Sequence, residues 1–216
     1  MSESIKKKQL TIGVLGFQGD IEENVAATKQ AMKDMDIDGD VKVVRYPEEF
    51  ERIDGLVMPG GESTVQSTLA AIQQSLPVMK KRISDGMPVL GTCAGMIMLS
   101  KRAFDRVIGD TKQKLMGNLD VVIERNAFGR QSESFETDIE VFEKEPFKGV
   151  FIRAPAVSEL GKDVEVLAKF NNRVVAVKQG NILGTSFHPE LSGDLRLHKD
   201  LVKMALAYRR HELKAA

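Results

Sequence analysis

Apolar positions in the first ninety residues follow two alternating rhythms. LTIGVLG (10–16) is a short apolar, β-branched run closed by a glycine. Behind it, DIEENVAATKQAMKDM repeats Ile21, Val25, Thr28, Met32 and Met35 at helical spacing, with Asp20 as a candidate N-cap. VKVVR (41–45), DGLVMPGG (54–61) and MPVLG (87–91) read as further strands, and helical patterns occupy 63–85 and the stretch from Cys93 onward. This alternation predicts an α/β fold of three layers, a mostly parallel central sheet with helices on both faces.

From about residue 118 the rhythm changes to short strands: LDVVIER, FETDIEVF, GVFIRAP, VEVLAKF, RVVAVKQ and NILGTSF. Asn171-Asn172 and Gly180-Asn181 separate the last three and suit tight hairpins, so an antiparallel extension of the sheet is expected. A final helix follows, with Leu197, Leu201, Met204 and Tyr208 as its apolar stripe. Neither a repeat nor a linker divides the chain. One domain is expected over 10–216, behind a loosely ordered tail at 1–9 that carries the charged IKKKQ run.

Composition narrows the function classes. The 216 residues are 42% apolar, enough for one well-filled core. Thirty-one basic residues balance thirty-one acidic ones, which removes the global field that would draw the protein to nucleic acid or an acidic membrane surface. With one cysteine, no apolar run of membrane-spanning length and no signal-peptide pattern, a cytoplasmic protein is expected.

In open α/β sheets, ligands bind beyond the carboxyl ends of the strands. GFQGD, PGGES, GTCAG and HPE all stand at such ends. Cys93, the lone cysteine, lies between Gly91 and Gly95, a bracket that permits the tight, strained strand-to-helix turn that raises a nucleophile above the sheet. A thiol at a helix N-terminus is also favoured as its thiolate. Among the three histidines, His198 and His211 fall in the polar C-terminal segment, where exposure is expected. His188 closes a strand. Pro189 should hold it extended, which would put His188 and Glu190 on one side as base and orienting carboxylate. The two glycines of PGGES leave backbone N–H groups free to approach an oxyanion, and Glu62-Ser63 opens the next helix.

Other chemistries fit poorly. Glycines 13, 16 and 19 lack the close pair of a dinucleotide-binding loop, and no phosphate-binding loop of the Walker type occurs. DMDIDGD (34–40) opens like a calcium loop, but position twelve would be Arg45 where a glutamate is needed. One thiol with scattered histidines does not make a zinc site. No metal or cofactor is indicated.

PGGES, GTCAG and SFHPE, in this order and spacing, resemble the class I glutamine amidotransferases, which release ammonia from glutamine with a Cys-His-Glu triad. GVLGFQG, VIERNAFGRQ with SFE after it, and FIRAP extend the likeness to the glutaminase subunits of the deoxyxylulose-independent pyridoxal 5′-phosphate synthases, over nearly the whole chain from about residue 10. The resemblance implies Cys93 as nucleophile, His188 as base and Glu190 as its orienter. It implies Gly61, Glu62, Ser63, Arg125, Ile152 and Arg153 as glutamine-binding residues, and backbone N–H groups near Gly61 and Ala94 as the oxyanion hole. Ala127 departs from the pattern, standing where serine is expected.

The implied partners are L-glutamine and a separate barrel-shaped synthase subunit that receives the ammonia. Pyridoxal phosphate is then a product of the complex, not a cofactor of this chain. The free chain is expected to be nearly inactive until its partner binds, with the Gly60-Gly61 peptide as the switch. Two alternatives compete with this reading. A glutaminase serving another acceptor should lack the FGRQ and IRAP blocks. A non-catalytic binding module on the same fold should lack a triad member.

Overall fold

The computed structural model describes residues 9–128, 134–140 and 146–215. The charged tail before residue 9, the GRQ of AFGRQ and the last two residues of FETDIEVF lie outside that range. The first half of the chain runs β1 (Leu10–Leu15), α1 (Ile21–Asp34), β2 (Gly39–Val44), α2 (Pro47–Phe50), β3 (Gly55–Met58), α3 (Ser63–Ile72), α4 (Ser75–Ser84), β4 (Val89–Thr92) and α5 (Ala94–Leu99). The second half adds β5 (Ser100–Asp105), β6 (Gly109–Asp110), β7 (Leu119–Arg125), β8 (Phe135–Glu140), β9 (Pro146–Phe151), β10 (Ala156–Leu160), β11 (Glu165–Phe170), β12 (Arg173–Gln179) and β13 (Ile182–Thr185), closing with α6 (Pro189–Ser192) and α7 (Arg196–Ala215).

The main sheet is ordered β2-β1-β3-β4-β13-β12-β10-β7-β5-β6, with β11 beside β12. Strands β2, β1, β3, β4 and β13 are mutually parallel, and β13 turns back antiparallel into β12. Every residue of β3, β4 and β13 is buried, the expected state of parallel strands covered on both faces. Two apolar clusters fill the two sides, one around Phe50, Met58 and Met96, the other around Ile12, Phe187 and Leu201.

Asn171 and Asn172, both with positive φ, make the tight turn between β11 and β12, and Gly180 (φ 55°) opens the turn between β12 and β13. The 63–85 helical pattern is two helices. Gln74 adopts a left-handed φ of 59° and breaks the chain, which places Pro77 in the first turn of α4, where a missing N–H costs no bond.

Two expectations about strands are corrected. Among the described residues, Phe135–Glu140 and Pro146–Phe151 do not extend the main sheet; β8 and β9 pair there only with each other. Their Phe135 and Phe151 rings instead join Phe128 and Phe170 in one aromatic cluster, so this hairpin buries its apolar side face-on. The apolar run after Cys93 ends as a helix at Leu99, and Ser100–Asp105 continues as β5, parallel to β7.

His198 was expected at the surface and is fully buried. Helix α7 packs along α1 and the parallel strands, and His198 Nε2 lies 3.4 Å from Asn24 Oδ1 on the buried face of α1. A polar sequence around it hid an inward position. His211 is exposed, as expected.

Candidate active site

The nucleophile candidate sits at the turn between β4 and α5. Cys93 has φ 48° and ψ −101°, a conformation L-residues rarely adopt, and its N–H donates to the Thr185 carbonyl of β13 at 2.7 Å. Both flanking glycines are needed for closeness. A β-carbon at Gly91 would lie 2.6 Å from Leu99 Cδ1, and one at Gly95 would overlap the Met58 carbonyl. Helix α5 can therefore sit directly on β3 and β4, presenting Cys93 at the carboxyl end of the sheet.

His188 follows β13, the neighbour of β4, so the parallel register of the two strands brings their ends together. Its own N–H donates to Val150 of β9 at 2.9 Å, and its side chain is 3% exposed. His188 Nδ1 and Glu190 Oε1 are 2.9 Å apart. The contact was expected, but not its geometry: Pro189 starts the short helix α6, and Glu190 reaches back from its first turn instead of projecting from extended chain. The Glu190 side chain is completely enclosed.

The other ring nitrogen, Nε2, makes no hydrogen bond of ordinary geometry among the described residues. It is the edge left for the thiol, and the Cys93 sulfur acts electrostatically on the ring. Burial opposes charge on His188, but the Asp20 and Glu190 carboxylates at Nδ1 and the nearby Cys93 sulfur outweigh it and hold the imidazole well above the ordinary histidine range. A protonated His188 is the form that can later give up a proton.

PGGES closes the other side. Gly61 takes φ 136°, accessible in practice only to glycine, and Glu62 is the N-cap of α3. The Glu62 N–H donates to Gln18 Oε1 at 2.7 Å, which ties the GFQGD loop to PGGES. Gln66, fully buried, donates through Nε2 to the Gln18 and Gly60 carbonyls at 2.8 and 3.1 Å. Because a peptide is planar and trans, holding the Gly60 carbonyl also sets the direction of the Gly61 N–H.

Cys93, His188, Gly61, Glu62, Ser63, Arg125, Ile152 and Arg153 line one pocket of about 150 Å³. That is smaller than the ~300–1,000 Å³ of drug-sized ligand sites and suits an amino acid better than a nucleotide. Glu190 stands behind His188, and Ala94 is buried at the first turn of α5. Arg125, implied as a glutamine-binding residue, is on the pocket wall with its Nη2 2.9 Å from Glu62 Oε1. Burial would raise the Glu62 carboxyl, but the Thr64 hydrogen bond and the charges of Arg125 and Arg153 keep it below the usual range. Arg153 has φ 43°, so it leaves the line of β9 as that strand ends.

Sequence reading missed Asp20, Ile97 and Asn126 on the pocket wall. Asp20 was read as a helix cap, and it occupies that position, but its side chain makes no capping bond and points to His188 Nδ1 at 3.0 Å. The available signal was its place directly after GFQG at a strand end. Asp20, His188 and Glu190 together bring three possible ligand atoms within 4.8 Å. Both carboxylates converge on the same ring nitrogen, so a cation there would displace the proton that joins them. None of the acidic residues of 34–40 lines this pocket; Asp36 and Asp38 are exposed, and Asp34 pairs with Lys199 at 2.8 Å.

A cysteine at a strained turn, a histidine with a carboxylate behind it and glycine-rich backbone opposite are the parts that thiol-dependent acyl transfer requires, gathered here at the end of an α/β sheet. Comparison with known proteins specifies the class. Residues 14–207 match the SNO glutamine amidotransferase family, and the chain belongs to that family. It is 50% identical over 195 residues to pyridoxal 5′-phosphate synthase subunit PdxT of Nitrosopumilus maritimus, covering 89% of this chain and 95% of that one. It is 49% identical over 195 residues to the subunit of the same name from Pyrococcus furiosus, covering 89% and 97%. A crystal structure of a glutamine amidotransferase superposes with a TM-score of 0.79 at 44% identity, covering 90% of this chain and 98% of that one. The fold alone is shared with PurLQS from Thermotoga maritima, at TM-score 0.61 and 17% identity.

Proposed function

We propose that this chain is the glutaminase subunit of a pyridoxal 5′-phosphate synthase, hydrolysing L-glutamine to L-glutamate and ammonia with Cys93, His188 and Glu190. The observation that carries the reading is the convergence of Cys93 and His188, backed by Glu190, on one small pocket in a chain about half identical to PdxT subunits. The Cys93 thiolate attacks the side-chain carbonyl of glutamine, and the negative charge that develops on oxygen is met by the N–H groups of Gly61 and Ala94. His188 Nε2 gives its proton to the departing nitrogen as the C–N bond breaks, leaving a γ-glutamyl thioester and free ammonia. Water then attacks the thioester, His188 takes its proton, and the C–S bond breaks to return the thiolate and release glutamate. Glu190 keeps the ring in the required tautomer and orientation throughout.

Gly61, Glu62, Ser63, Arg125, Ile152 and Arg153 hold the amino-acid part of glutamine. Residues 10–216 act as one glutaminase domain, because the sheet that presents Cys93 also presents His188. Its partner is a synthase subunit that accepts ammonia. The protein works in the cytoplasm, where a reducing environment keeps the Cys93 thiol free. The test is glutamate production from L-glutamine by the purified chain, alone and titrated with a synthase subunit. Release that rises with synthase supports the assignment; no release under either condition refutes it. Full release without synthase would refute only the expected dependence on the partner.

A further inference from the structure

One ring nitrogen in this site has two carboxylates. His188 Nδ1 is 2.9 Å from Glu190 Oε1 and 3.0 Å from Asp20 Oδ2, and the two acids come from opposite ends of the chain. They differ in surroundings. The Glu190 side chain is fully enclosed, whereas that of Asp20 is one-third exposed, so its charge keeps part of its hydration and is cheaper to maintain beside the ring.

Asp20 is at the N-cap of α1, where a carboxylate ordinarily bonds the first free N–H groups, and it forms no such bond. It reaches His188 across Gly60 instead. A β-carbon at Gly60 would lie 2.8 Å from both Asp20 Oδ2 and His188 Nδ1, so only glycine leaves the space in which the two meet. The position of Asp20 is set from behind as well, because Asn24 Nδ2 donates to its carbonyl at 2.8 Å.

We propose that Asp20 is a positioning residue, a second carboxylate partner that steadies the protonated His188 ring jointly with Glu190. This rests on the glutaminase reading of the site. A single N–H at Nδ1 shared by two acceptors resists rotation of the ring toward either one, which keeps Nε2 directed at Cys93. The ionisable groups facing His188 are Asp20 from the β1–α1 loop, Cys93 from the β4–α5 turn and Glu190 from α6, while Glu62, Arg125 and Arg153 line the same pocket. Loss of the Asp20 charge removes one of the two anions favouring the imidazolium, and its own carboxyl is held below the usual range chiefly by the hydrogen bond with His188.

Asp20→Asn preserves size and removes the charge. In the full chain, the His188 ring resonances, assigned by their loss in His188→Asn, are titrated by NMR for wild type and Asp20→Asn. The midpoint should fall by about 1 pH unit, the shift expected for loss of one adjacent opposite charge. With synthase and L-glutamine, the alkaline limb of the kcat/KM profile should move the same way, and kcat should fall about tenfold with KM within about twofold. An unchanged His188 midpoint would overturn the proposal, as would a rise in KM alone, which would place Asp20 on the substrate. The NMR arm needs no turnover, so failure of the glutaminase reading and failure of this proposal are separable. Equal melting temperatures for the two proteins would show that folding is not what changed.

Discussion

Gly60 lies against the edge of the His188 ring so closely that a β-carbon at that position would overlap ring atom Cε1. The second residue of PGGES is thus part of the histidine's seat, and its carbonyl, held by Gln66, belongs to the peptide that carries the Gly61 N–H. Gly60→Ala should displace the ring by a substantial fraction of an ångström. Misplacement on that scale costs about 10²-fold in rate, so glutamate release in the presence of synthase should fall by about that factor. Steady-state kinetics with a melting curve checks it; activity within threefold of wild type would show that the ring has room to give.

Cys93→Ala should abolish glutamate release while leaving the protein folded, since a small buried side chain is replaced by a smaller one. The backbone adds a second expectation. Cys93 holds φ 48° and ψ −101°, and sparsely populated conformations of this kind cost about 1–3 kcal/mol for residues with a β-carbon. Cys93→Gly should be equally inactive and should melt higher than Cys93→Ala, provided the gain exceeds the entropy glycine adds to the unfolded chain. Glutamate release by either variant would remove Cys93 from the mechanism.

His188→Asn removes both proton transfers, whereas Glu190→Gln leaves the ring in place and takes away one charge partner. The base should cost more than its orienter, by about 10-fold or more in kcat, because Asp20 still faces Nδ1 when Glu190 is neutral. Parallel kcat measurements decide it, and equal losses would speak against these roles.

Arg125→Met should raise KM by about 10-fold or more with a smaller effect on kcat, the pattern of a group that binds ground state and transition state alike. Its partner Glu62 lines the same pocket, so the 2.9 Å ion pair stands on the wall of the proposed glutamine site. An unchanged KM would leave Arg125 as a structural partner of the α3 N-cap.

Burial pushes His198 down to about 4 in the folded protein, against about 6.5 when unfolded. The unfolded chain therefore binds the extra proton first as the solution is acidified. The stability associated with His198 is fully present above about pH 6.5 and is lost progressively as pH falls toward 4, by a total of about 3 kcal/mol. Urea unfolding at pH 7 and pH 5 should show about 2 kcal/mol of that loss. His198→Gln should show a flatter decline than wild type; an identical decline would assign the loss to other groups.

The legible features of the chain share one property: each is local. The strand runs of the first half, the hairpin pairs at 171–172 and 180–181, and the glycine bracket of Cys93 each follow from a few adjacent residues whose conformational needs are strong. The illegible features depend on what lies opposite. β5 is mostly exposed or half-exposed and polar, and becomes a strand because β7 offers it a parallel edge. The β8–β9 pair reads as ordinary sheet until the positions of Phe128 and Phe170 are known.

By itself the sequence determined the α/β alternation and the presence of a thiol, a histidine and a carboxylate at strand ends, since periodicity and turn chemistry are written in neighbouring residues. Only the tertiary structure decided that β13 lies beside β4, that Asp20 bonds an imidazole 168 positions away instead of capping its own helix, and that His198 is interior. Those outcomes turn on hydrogen bonds and burial between segments far apart in the chain, where the free energy of a contact depends on the packing of every element that brings the two groups together.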